Sequence, residues 1–518
     1  MAQAQKLRRH LTTADQVILG ITGAVGTGIL FSSAGMAAIA GPGVVLAWLI
    51  GALFYCFIGL TFAELALAYP EAGGPSRYSL YSHGKMTNLI NAFSDLIWYI
   101  FIPPIEALAT VEGLNHFYPH FVAASGSPTT LGAVCGAILM LLFLPFNYYG
   151  IKVFANSNRS VGVLKMVVYI VVAIGFLSFG HFGNFSHYGG LIPFGMSGVF
   201  AAVPLAMFAF GGIRLIPDYA EETTSPQTLG RSIMWAIVGQ TVIYLLFSAA
   251  FVAALDWSRV GLKVGSWASA SSLPGNPFLY IASKSSVAWL VSLTVVIAVV
   301  GPFVTGYIYQ GGGSRVLMAM SRTHLVSERM KELNQRYAIP AWSLIVFTVV
   351  GMVVAYIAAP LPSIYSLITD AVVAGYIGFA VNPVAMLSIR RQGRPGIFRN
   401  PGLVAALGFA GAALIVYWSG WPSVPYAVVL LAIAAVVFGF VYHITEFKNA
   451  IWYICYVLFL TLMTAIGSVG LKSYVSFDLG SVIVIVVSLA VFLPWGVGSR
   501  LPQAQAALVP SALSNEAG

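Results

Sequence analysis

Residues 14–40 read ADQVILGITGAVGTGILFSSAGMAAIA: an apolar run long enough to cross a bilayer, with Gly20, Gly23, Gly26, Thr27 and Gly28 crowded at its centre. A spanning helix satisfies its own backbone polar groups, and each glycine inside it costs about 1 kcal/mol against alanine. A glycine cluster at mid-depth therefore marks either close helix packing or a planned interruption. The sixth apolar segment repeats the pattern with Phe208, Ala209, Phe210, Gly211 and Gly212. Small residues can serve helix packing through small-xxx-small faces, and for either cluster alone that reading stands. Two clusters five segments apart point instead to discontinuous helices in corresponding halves of a transporter.

The rest of the chain supports a membrane setting. Its 518 residues are 59% hydrophobic and only 8% charged, with a mean hydropathy of +0.87, whereas soluble domains carry about 25% charged residues. Apolar segments fall at 14–40, 43–69, 88–118, 129–149, 155–180, 197–219, 230–255, 286–321, 340–359, 361–389, 402–420, 424–444, 450–471 and 478–497. This predicts an all-α polytopic membrane protein with fourteen spans. The first segment is too long for a signal-peptide core and should be retained.

Of the 25 Lys and Arg, Arg259, Lys263, Lys284 and Lys472 fall on one side, Lys165 and Arg214 lie inside segments, and the rest share the side of the N-terminus. That asymmetry predicts cytoplasmic termini in the cell (plasma) membrane and explains the net charge of +9 without nucleic acid. Cys56, Cys135 and Cys455 lie in apolar runs and offer no disulfide scaffold or metal site. No cofactor is expected: GAVGTG lacks the βαβ setting of a dinucleotide loop. A helix carrying Glu112, His116 and His120 at spacings of four has no evident further metal ligand.

An interrupted helix exposes amides at a half-helix N-terminus, which favour a carboxylate, and free carbonyls, which accept from an ammonium. Gly26, Thr27 and Gly28 would supply amides and a hydroxyl; carbonyls of Ala24 and of Phe208, Ala209, Phe210 and Gly211 would hold the ammonium. The ligand this suits is an amino acid.

Four ionisable residues count to mid-depth: Glu106, Lys165, Arg214 and Asp370. Such groups are expensive in lipid and usually functional. Arg214 could pair with Asp218 one helical turn on, or could receive the side-chain carboxylate of an acidic substrate through its bidentate fork. Glu106, Lys165 or Asp370 could carry a coupled proton. Glu64 and Asp95 count to helix ends, where solvation or local pairing is expected.

Four motifs in order carry a resemblance: QVILGITGAVGTGILF (16–31), ELALAYPEAGGPSRYSLYSHG (64–84), FAFGGIRLIPDYAEETTSPQ (208–227) and SRVLMAMSRTHLVSERMKELNQRYAIPAWS (314–343). They resemble amino acid permeases of the amino acid-polyamine-organocation family over about residues 12–395. The resemblance implies a leucine-transporter-type core of two inverted five-helix repeats (about 14–180 and 197–389, together 14–389), framed by a tail at 1–13 and a loop at 390–401. Four additional helices over 402–497 and a tail at 498–518 would follow, as in fourteen-span members that include aspartate-proton symporters. It further implies a substrate-carboxylate turn at Gly26, Thr27 and Gly28, an aromatic gate at Phe208, and Lys165 in place of a bound sodium ion. Aligned on SRTHLVS, Tyr309 falls where the family places an aromatic substrate wall, beside Tyr307 and Gln310, although lipid or helix contact would also suit it. Arg214 departs from the family pattern.

The expectation is thus secondary active transport of amino acids, as proton-coupled uptake of aspartate or glutamate, or alternatively sodium-independent transport or exchange of neutral amino acids. A membrane-embedded enzyme lacks HExxH and GxSxG, and a channel would want a filter or rings of like charge.

Overall fold

A computed structural model of the chain describes residues 6–360, 370 and 372–515. Regular structure among them is helical, apart from isolated bridges such as Leu11 to Thr223. Twelve stretches are long and apolar enough to cross a membrane. One of these, Thr27–Ala68, is bent at Gly41–Gly43 and so contains half of the first expected segment and nearly all of the second. Gly41 has φ +60°, and a Cβ there would lie 2.3 Å from the Pro193 ring, so only glycine fits this corner.

The first elements are α1 (Thr13–Ala24), α2 (Thr27–Ala40), α3 (Val44–Ala68) and α4 (Pro75–His83). Thr12 starts α1 through a capping box with Asp15: the hydroxyl accepts from the Asp15 amide while Asp15 accepts from the Thr12 amide. The chain continues with α5 (Lys85–Leu114), α6 (Thr130–Tyr148), α7 (Ile151–Ser178), α8 (Gly195–Ala209), α9 (Leu215–Asp218) and α10 (Leu229–Ala254). A short α11 (Pro277–Lys284) precedes α12 (Ala288–Arg322) and α13 (Ala341–Ala358). In the tenth expected segment, 361–369 and 371 lie outside the described residues; α14 (Val373–Phe379) and α15 (Val381–Arg391) follow. The C-terminal group is α16 (Pro401–Ser419), α17 (Ser423–Val441), α18 (Ile451–Ile466), α19 (Phe477–Val487) and α20 (Leu493–Gly498), with α21 (Gln503–Asn515) beyond it.

At 30 and 35 residues, α5 and α12 are the long members of the bundle. They run antiparallel, in contact from Gly113 against Ala298 at one end to Gly312 against Tyr99 at the other. Both are buried over most of their length, and they carry much of the polar chemistry. Helices α6, α7 and α17 instead turn Leu142, Leu164, Val171, Val436 and Phe440 outward, as a lipid-facing surface requires. The C-terminal group is joined to the rest through α16, whose Gly408 and Gly411 admit the backbone of Phe57 and the ring of Phe54 on α3.

Candidate functional site

Helix α1 stops at Ala24 because Val25 (φ −84°, ψ 81°) and Gly26 (φ −135°, ψ −130°) leave the helical region, and α2 begins afresh at Thr27. The expected interruption is present. Gly26 lies so close to its surroundings that a Cβ would sit 2.5 Å from Thr305 Oγ1 and 2.8 Å from Glu106 Oε2. The amide and hydroxyl of Thr27 do not stand open: both donate to Glu106 Oε2, at 3.1 and 2.6 Å. A carboxylate of the chain itself thus caps the half-helix assigned to a substrate carboxylate. Behind it, Lys165 Nζ donates to the carbonyls of Thr22 (2.8 Å) and Gly301 (2.9 Å) and to Thr305 Oγ1 (3.0 Å). Glu106 and Lys165 are brought together around Gly26, as two of the mid-depth charges should be.

The second break takes a tighter form. After α8 the backbone does not unravel but narrows to a 3₁₀ turn, Phe210–Arg214, before α9 resumes the α-helix. The two interruptions touch. A Cβ on Gly28 would lie 3.1 Å from that of Ala209, and one on Gly212 would meet the Gly20 carbonyl and the Ala24 Cβ at 2.6 and 2.7 Å.

One candidate role changes at this turn. The Ala209 carbonyl already accepts from the Tyr244 hydroxyl (2.6 Å), so it is not free for an ammonium. Phe210 turns its ring away from the breaks into a cluster with Trp48, Tyr55 and Tyr244. Phe208 stays half-buried with its ring 5.8 Å from Trp98, and Gly211 faces both the Trp98 ring and the Tyr309 hydroxyl. Tyr309 therefore stands at the second break, and Tyr99 packs beside it at 5.4 Å. Its expected neighbours Tyr307 and Gln310 serve packing: Tyr307 stacks on Phe146, and Gln310 donates to Met140 O and Thr348 Oγ1 on the far side of α12.

Arg214 is almost wholly buried, and its partner is Asp95 on α5 (Nη1 to Oδ1, 2.9 Å), not Asp218. The 3₁₀ turn shifts the register on which an i,i+4 pair depends, and Asp218 accepts instead from the Tyr99 hydroxyl. The guanidinium lies over the rings of Trp98 and Phe379, 4.4 and 4.5 Å from their centroids. Its Nη2 donates to Gly375 O (3.3 Å), while Nε and Asp95 Oδ2 have no partner.

Asp370 does not join this group. It accepts from Ser423, the first residue of α17. Glu64 is locally paired as expected, in a two-point contact with Arg390.

On the side of the N-terminus the site is sealed. Arg315 of α12 binds Glu222 through two hydrogen bonds of 2.9 Å, with its guanidinium over the Tyr219 ring. Arg322 binds the neighbouring Glu221, which also accepts from the amides of Leu7 and Ala72. Burial pushes the Glu221 carboxyl up, but Arg322 and these amides more than offset it and hold the group below its ordinary range. The segment before α1 passes across this seal: His10 and Leu11 donate to Glu222 O, and Thr224 donates back to Leu11 O. The acidic pair 221–222 and the arginines seven residues apart on α12 were a readable signal for this closure, but only packing shows that they meet.

The sequence profile of the amino acid permease family matches residues 11–425. The chain is 27% identical to a glutamate/serine transporter of Bacillus subtilis, over 95% of this chain and 94% of the relative. It is likewise 27% identical to an aspartate-proton symporter of the same organism, over 97% and 99%. A branched-chain amino acid permease, again of Bacillus subtilis, is 24% identical over 84% of this chain and 93% of its own length. An all-helical membrane bundle with two interrupted helices in contact, and a profile match over most of its length, together place the chain in the amino acid permease family.

Proposed function

We propose that this chain imports an acidic amino acid together with a proton by alternating access. The observation that carries the acidic assignment is Arg214: a buried guanidinium beside the second break whose Nε–H has no partner. An aspartate or glutamate brings one negative charge more than a neutral amino acid, and a low-dielectric site tolerates it only beside a cation. Two relatives of nearly full length, named for glutamate/serine and for aspartate with a proton, support the same reading.

In this mechanism the substrate's α-carboxylate takes the Thr27 amide and hydroxyl, with Gly26 and Gly28 leaving room for it. Its ammonium meets carbonyls of Ala24, Phe208, Phe210 and Gly211, and Phe208 and Tyr309 form the aromatic wall. Glu106, which holds Thr27 here, must withdraw when substrate arrives, and the Glu106–Lys165 neighbourhood is where a coupled proton is carried. Two inverted repeats, about 14–180 and 197–389, rock against each other, the helices over 402–497 form an outer appendage, and both termini lie in the cytoplasm of a cell with this protein in its plasma membrane.

A second reading, sodium-independent transport of neutral amino acids, is favoured by the fact that Arg214 already has a counter-ion in Asp95. Uptake of radiolabelled aspartate by reconstituted protein, with and without an inward proton gradient, decides between them. The acidic reading requires gradient-driven accumulation of aspartate, poorly competed by neutral amino acids and abolished in Arg214→Ala. Neutral amino acids that outcompete aspartate, or an Arg214→Ala variant with wild-type aspartate uptake, would overturn it.

A further inference from the structure

We infer that Asp95 is the chain's own occupant of the side-chain carboxylate site, and that it yields Arg214 to an acidic substrate only by taking a proton. This rests on the acidic reading proposed above and moves the coupled proton from the Glu106–Lys165 neighbourhood to Asp95, the residue that makes substrate and proton obligatory partners.

The geometry separates a fixed cation from an exchangeable anion. The Trp98 and Phe379 rings each lie against the Arg214 guanidinium, and Gly375 O holds Nη2, so the cation is fixed in place. Asp95 meets it through one hydrogen bond only; Nε of the arginine and Oδ2 of the aspartate are left without partners. A buried arginine and carboxylate built for permanence usually form two parallel bonds, as Arg315 and Glu222 do in this same protein. The unpartnered Nε–H of Arg214 is the donor that a second carboxylate would take.

Charge then dictates the order of events. The groups facing the pair are Tyr55 from α3, Tyr78 from α4, Tyr99 from α5, Asp218 from α9, Tyr309 from α12, Tyr376 from α14 and Tyr453 from α18. Every one is a phenol or an acid; Arg214 is the single cation among these described groups. A substrate carboxylate arriving there would leave Asp95 as a buried anion with no cation, a state that costs several kcal/mol. Protonation of Asp95 removes that cost: the carboxylate becomes a neutral carboxyl, the substrate's carboxylate takes its place on Arg214, and the net charge of the pocket is unchanged. When the substrate leaves on the other side, the proton leaves with it and the Arg214–Asp95 pair re-forms. Asp218 is less suited to this exchange because the Tyr99 hydroxyl already holds it.

The test measures aspartate and asparagine binding to purified protein between pH 5.5 and 8, together with proton uptake in weak buffer. In the wild type, aspartate affinity should rise by up to about tenfold per unit fall in pH with one proton taken up per molecule bound, while asparagine shows neither effect. Asp95→Asn should bind aspartate with a flat pH profile, take up no proton, and exchange aspartate without responding to a proton gradient. A wild-type pH profile in Asp95→Asn would overturn the inference while leaving the acidic reading intact; a wild type that binds no aspartate at any pH would sink both. If Asp95→Asn does not fold, Asp95→Glu carries the test, because a moved carboxyl must shift the midpoint of the profile, and an unshifted midpoint overturns the proposal.

Discussion

Gly28 and Ala209 touch across the two interrupted helices, so closely that a Cβ on Gly28 would stand 3.1 Å from the Ala209 Cβ and 3.2 Å from its Cα. Since the break in each helix is held against the other, side-chain volume at this point controls how the two halves of the site meet.

Gly28→Ala is therefore expected to lower uptake several-fold, with expression and elution profile unchanged, since the added Cβ forces the Ala209 segment to give by a few tenths of an ångström. Ala209→Gly, silent alone, should restore most of the loss in the double variant. Uptake by the four proteins decides it: without rescue, the contact is not what limits the site.

The Arg315–Glu222 pair is fully buried and doubly bonded, so removing one partner strands a charge. Arg315→Ala or Glu222→Ala should each cost about 3–5 kcal/mol, and the double variant should cost much less than their total. Thermal denaturation in detergent reads this, and additive losses would argue against a coupled pair.

Glu221 offers a pH test of the seal. Its carboxyl is held below the ordinary value of 4.5 when folded. A depressed carboxyl contributes its full stabilisation above the unfolded value and loses it as the pH falls through the folded one. Protease cleavage within residues 6–12 should therefore stay slow at neutral pH and accelerate below about pH 4.5, whereas Glu221→Gln should be cut at every pH.

His83, at the end of α4, is buried with one ring nitrogen 2.8 Å from Gly496 O. Burial, only partly offset by that carbonyl, pushes its pKa down to about 4 from an ordinary 6.5. The unfolded chain then takes up a proton below pH 6.5 that the folded chain refuses until about pH 4, so stability should fall by about 1.4 kcal/mol per pH unit across that window. His83→Gln should flatten the profile of apparent melting temperature against pH over the same range.

The apolar segments and the first interruption were legible because both are written locally, in unbroken hydrophobicity and in glycines where a spanning helix tolerates few. The second break was legible as a place but not as a geometry: FAFGG permits an open turn or a 3₁₀ turn, and contacts with α1 and Tyr244 select the latter. Asp95 was misplaced because counting from a span end assumes water at that end. The first turns of α5 are instead covered by α4, and Asn91 Nδ2 donates to Pro75 O beneath it, so a residue about 15 Å along α5 is fully interior. No local pattern could pair Arg214 with Asp95, which stand 119 positions apart.

The strap that joins Leu11 to Thr223 and Thr224 links residues more than 200 positions apart. During synthesis the partner of that strap does not exist until the sixth segment has left the ribosome. A nascent chain with its first five segments inserted has no latch on the face where it began, and the strap closes only when residues 221–224 come back to meet the beginning.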